Sequence, residues 1–161
     1  MLSELRKILL RDLGTLGREV ELYPDDAALW KELPGLPNTG GALVLHLCGN
    51  LRHFVGAQLG GSGYVRNREA EFALRGVPRA RLRELVAAAE REVRPALEGL
   101  HAAVLDADFP VPVAGHTLPA RLFMLHLCTH LAYHLGQLDY HRRAVSGDSR
   151  AADAQSVPAL V

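Results

Sequence analysis

A chain of 161 residues, 48 % of them hydrophobic, is long enough for one domain around a single core and too apolar to stay disordered. Eighteen Lys and Arg balance eighteen Asp and Glu, which argues against non-specific nucleic-acid or membrane-surface binding, since both run on excess cations. Two cysteines, Cys48 and Cys128, build no disulfide framework, so a reducing cytoplasm is the expected setting.

The N-terminal stretch alternates apolar and charged residues, and neither a signal-peptide core nor a membrane span is expected. Leu2, Leu5, Leu9, Leu13, Leu16 and Val20 recur every three or four residues, which predicts an amphipathic helix that Gly14 and Gly17 weaken and Pro24 ends. "PGLPNTGG" is a connection, and Asn38 or Thr39 can cap a second helix through "ALVLHLCGNLRHFVGAQL". Being apolar nearly all round, that helix is expected to be central. A Gly-rich, charged loop with room for a short helical turn, "GGSGYVRNREAEFALRG", follows.

A third helix starts near Pro78, with Leu82, Leu85, Ala89, Val93, Leu97, Leu100 and Val104 inward and a kink expected at Pro95. After the extended "DADFPVPVAGH", Thr117 is expected to cap a fourth helix over 118–145, with Arg142 and Arg143 in its last turn and Gly147 beyond. Residues 148–161 read as a loose tail. The predicted fold is all-α, a four-helix bundle over residues 1–147.

Within the fourth helix, "HLCTHLAYHLGQ" places His126, His130 and His134 at four-residue intervals, hence nearly above one another on one face. His130 and His134 have the spacing that lets two imidazoles reach one divalent metal, although such a pair alone is also common in helix cores. His46 strengthens the case, because it lies in an apolar helix where an uncompensated ring costs about 1–3 kcal/mol. Three His from two packed helices are a common way to build an open tetrahedral site, with the fourth position left to water or substrate. His126 is an alternative ligand or a donor behind the ligands, and His53, seven residues past His46, can only edge the pocket. His101 and His116 read as solvated and His141 as too distant. Cys48 and Cys128 stand about 200° round their helices from His46 and His130 and point away. Tyr133 is expected to pack between helices.

"HLCTHLAYHLGQ", with its H-x-x-x-H-x-G-Q element, together with "HLCGNLRHF" and "GYVRNREAEF", resembles the DinB/YfiT-like superfamily of metal-dependent enzymes, in particular a subgroup of bacterial proteins. The resemblance spans nearly the whole chain. It implies an up-down-down-up four-helix bundle, often a homodimer, with a divalent metal on His46, His130 and His134. The expected ion is zinc or nickel, with iron or manganese compatible as well. Gly136 and Gln137 match the G-Q element, and His126, Gln137, Asn50 and His53 are the expected residues behind the ligands or lining the pocket. Where many relatives carry Arg after the last His, this chain has Leu135.

A divalent ion on three neutral imidazoles lowers the pKa of a bound water or thiol. No Glu lies within a turn of His130 or His134, and Asp139 falls on the wrong side of the helix. Hydrolysis with a protein carboxylate as base is therefore less expected than activation of a low-molecular-weight thiol, which the resemblance also implies, for transfer to a small-molecule substrate. Arg66 and Arg68 in the loop can meet substrate carboxylates or simply belong to a solvated, charge-balanced segment. The alternative function is a non-catalytic helical protein whose histidines are structural or bind metal without turnover.

Overall fold

The computed structural model describes residues 1–161, and it is helical throughout, with no β-strand and two single-residue bridges in the connection before the last helix. The first helix, α1 (Leu2–Leu22), buries the predicted stripe and stops where Tyr23 turns extended ahead of Pro24. A four-residue helix, α2 (Asp26–Leu29), is capped by the Asp25 carboxylate, which accepts from Ala28 N–H at 2.8 Å. In α3 (Gly40–Leu51) every residue is buried, and Thr39 accepts from Ala42 N–H, so this helix is central as its composition requires. It continues into a π-helical turn, Arg52–Ala57.

The loop holds α4 (Arg68–Ala73), where the Asn67 side chain accepts from Ala70 N–H at 3.0 Å. Helix α5 (Arg79–Gly99) starts as expected after Pro78 and stays helical through Pro95. The last helix, α6 (Ala120–Ser146), begins two residues later than predicted, with Pro119 in the N-cap position and no side-chain cap; Thr117 is exposed and does not cap it. Gly147 closes α6 in the left-handed conformation, at φ 70°.

Four long helices enclose one core of 32 buried residues. Residue pairs fix their directions. Cys128 lies beside Leu5 and Arg142 beside Glu19, so α1 and α6 run the same way. Glu21 meets Arg83 and Arg6 meets Glu98, so α5 runs against α1. Gly40 lies beside His141 and Phe54 beside Phe123, so α3 and α6 are opposed. That opposition sets His46 across from the middle of α6.

Residues 148–161 lie along α1. Ala152 is 3 % exposed and its carbonyl accepts from Arg18 Nε at 2.9 Å, while Lys7 Nζ donates to the Leu160 carbonyl at 2.7 Å. No helix is long and apolar enough to cross a membrane.

Candidate metal centre

The opposed packing of α3 and α6 brings His46, His130 and His134 together, each offering a ring nitrogen within 4.8 Å of the others. Ring centroids are 5.1 Å apart for His46 with either partner and 4.6 Å for His130 with His134. His46 Nε2 stands 3.2 Å from His130 Nε2.

Two of the three rings are held from behind. His46 Nδ1–H donates to Glu71 Oε2 at 3.0 Å, and His134 Nδ1–H donates to Gln137 Oε1 at 2.7 Å. Each bond keeps the ring proton on Nδ1 and leaves Nε2 bare toward the centre. His130 Nδ1 is buried without a partner, so only the inward side of that ring has polar company. Burial and the neighbouring His134 and His46 push the His130 pKa down to about 4, and burial likewise lowers that of His134. Both rings are therefore neutral near pH 7.

These residues fit a divalent cation. His46 Nε2 accepts from His130 at 3.2 Å when the His130 proton sits on Nε2; with that proton on Nδ1 both lone pairs face one point, and the spacing is close to the roughly 3.3 Å expected between two nitrogens about 2.0–2.1 Å from one tetrahedral ion.

Glu71 is the residue that helix-face reasoning missed. It comes from α4, is 5 % exposed, and is gripped by Arg66, whose Nε donates to Oε1 and Nη2 to Oε2, both at 2.7 Å. Burial raises the Glu71 carboxyl pKa, but the Arg66 and His46 hydrogen bonds outweigh it and hold the group ionised below the usual carboxylate range. Arg66 Nη2 is 3.3 Å from His46 Nδ1; both are donors sharing one carboxylate. The signal that could have found Glu71 is Gly49, a glycine inside an apolar helix, where it costs about 1 kcal/mol relative to Ala. A Cβ there would run into the Glu71 carboxylate.

The other candidates separate. Arg66, which the sequence leaves either to a substrate carboxylate or to a charge-balanced loop, has its Nε and Nη2 edge on Glu71. Arg68 is exposed, its guanidinium carbon 5.4 Å from the Phe72 ring centroid. His126 is exposed and outside the group of three, stacked on Phe123 at 5.8 Å and tilted against His130 at 5.7 Å between ring centroids. Asn50, one turn past His46, is buried with its Oδ1 unpartnered, and His53 packs on Phe54 with Nδ1 unpartnered. His141 belongs elsewhere: it bonds the Tyr23 hydroxyl at 2.8 Å and the Lys31 carbonyl at 2.9 Å. Tyr133 does not pack between helices and is 65 % exposed. Burial pushes the Cys48 and Cys128 thiols up to about 12, so neither is a nucleophile near neutrality.

No curated protein and no solved structure matches the chain. A comparison with protein families matches residues 4–147 to the family described as Mycothiol-S-transferase. That match covers nearly the whole helical region and both helices that carry the three histidines, in keeping with the DinB-like features of the sequence. The chain belongs to the mycothiol-S-transferase family.

Proposed function

We propose that this protein is a metal-dependent thiol S-transferase that joins mycothiol, or a similar low-molecular-weight thiol, to a small electrophile. The observation that carries the reading is the outward tethering of His46 and His134, by Glu71 and Gln137, which leaves two Nε2 atoms bare beside that of His130. The thiol follows from the family. A divalent ion held by His46, His130 and His134 supplies Lewis acidity that favours thiolate over thiol near neutral pH; zinc or nickel is the ion of choice for the donor set, with iron and manganese further candidates.

The chain's own part is to hold and orient. Glu71 Oε2 keeps the His46 proton on Nδ1, Gln137 Oε1 does the same for His134, and Arg66 keeps Glu71 ionised and fixed. Overall, the thiol proton is released to solvent, a sulfur–carbon bond forms, and the leaving group departs with its bonding pair. No protein carboxylate acts as base: Glu71 is already engaged by two donors. The same reading includes an up-down-down-up bundle, supported by the helix directions above, a cytoplasmic setting and a homodimer.

The test is removal and return of metal. Chelator-stripped protein should lose thiol-dependent conjugation of 1-chloro-2,4-dinitrobenzene and regain it with zinc or nickel. Full activity in the stripped protein would overturn the reading.

A further inference from the structure

Beside the histidines, a cleft of about 380 Å³ opens between the loop before α3 and the outer face of α6. That volume is at the small end of the range that holds small ligands, roughly 300–1,000 Å³. Leu36, Pro37 and Leu43 form one wall, and Tyr133 and Tyr140, two turns apart on α6, form the other. Both tyrosines are largely exposed, at 65 % and 76 %.

Two features decide what fits. The first is charge: no Asp, Glu, Lys or Arg lines the cleft. Its one imidazole, His141, has both nitrogens committed to Tyr23 and Lys31, and burial lowers its pKa, so it is neutral as well. A charged ligand would lose water here and gain no counter-ion. The second is continuity: Gln137 lines the cleft and also holds His134, and the Tyr133 ring centroid is 5.2 Å from that of His134. A molecule in the cleft is therefore one residue layer from the histidine centre, on the Gln137 side of His134.

Resting on the function proposed above, we propose that this cleft is the acceptor site, and that it takes an uncharged aromatic electrophile seated against Tyr133 and Tyr140. Aromatic faces suit such a ligand through offset or edge-to-face contact. The thiol is the poorer occupant, because a water-soluble polar metabolite would find few hydrogen-bond partners to replace its water. Gly136 borders the cleft with open space where a Cβ would point, which marks it as the place to block.

The test uses nitrobenzene and 4-nitrobenzoate as unreactive probes, titrated calorimetrically into the whole protein, into Gly136→Leu and into Tyr140→Ala. Nitrobenzene should bind saturably, with 4-nitrobenzoate and either variant weakening binding by about tenfold or more. Metal content should stay at the wild-type level in both variants. In the conjugation assay, Gly136→Leu should raise KM for 1-chloro-2,4-dinitrobenzene and leave KM for the thiol unchanged. Equal binding of the anion, binding indifferent to Gly136→Leu, or a rise confined to the thiol's KM would each overturn the assignment. So would sedimentation showing that wild-type protein is a dimer that excludes nitrobenzene and that Tyr140→Ala dissociates. Probe binding needs neither metal nor thiol, so a failed cleft and a failed metal centre give different results.

Discussion

At the scale of single residues, the centre depends on which nitrogen of each imidazole carries the proton. Glu71 sets this for His46 with a full charge, which makes the ring a better ligand than a neutral acceptor would. Glu71→Gln keeps the size and removes the charge. It should lower metal affinity by roughly 10–100-fold in competition with a chromophoric chelator, with helical circular dichroism preserved; unchanged affinity would show that the carboxylate has no hold on the ligand. Acid should act through the same rings. His130 titrates at about 4 in the fold against an ordinary 6.5. Between those values the unfolded chain binds the extra proton, so stability is intact above pH 6.5 and falls as pH drops toward 4. The lowered pKa of His134 adds to the same fall, whereas the loss from Glu71 comes lower, below the ordinary 4.5 of that group. The metal-free protein should therefore show a falling Tm across pH 7 to 4, and His130→Ala a flatter curve over that interval, read by thermal melts at constant ionic strength.

Among the elements, the contact between α3 and α4 is the one that matters most for the centre. Gly49 allows the Glu71 carboxylate to approach the helix backbone near His46. Gly49→Ala improves helix propensity yet should displace that carboxylate, so it should reproduce the metal-affinity loss of Glu71→Gln without any change at a ligand; wild-type affinity would mean that α4 can shift at no cost. The four long helices were legible because Leu, Val and Ala recur at helical spacing over α1, α5 and the core face of α6, and because α3 has almost no polar side to expose. His46, His130 and His134 were legible for a related reason, as polar rings on faces that had to pack. Glu71 was not, because it stands 25 residues from His46 on a six-residue helix whose position depends on tertiary packing rather than local pattern. Thr117 looked like a cap by residue type, yet α6 starts at Ala120, behind Pro119, which takes the N-cap position without a side-chain hydrogen bond. Tyr133 was placed inward by its neighbours in sequence, but α6 presents three faces, to core, to histidine centre and to solvent, and Tyr133 falls on the last.

Across the whole molecule, α6 divides into a half that carries the centre and a half that carries stability. Past His134, Arg142 is fully buried, donating through Nε to Glu19 at 2.7 Å, through Nη2 to Asp139 at 2.7 Å, and to the carbonyls of Asp148 and Arg150. It ties α1, α6 and the C-terminal segment at one point. Arg142→Ala would leave Glu19 buried without its cation, at a cost of about 3–5 kcal/mol. Tm should drop on the order of 10 °C, with metal stoichiometry unchanged below the melt; a matching loss of metal would show that the two halves are coupled. The measurement that bears most directly on the account is elemental analysis of untagged protein purified without chelator, beside His46→Ala/His130→Ala. About one divalent ion per chain is expected in the wild type and almost none in the variant, both with the same helical content. A wild-type protein that takes up no zinc or nickel, or a variant that keeps its metal, would contradict it.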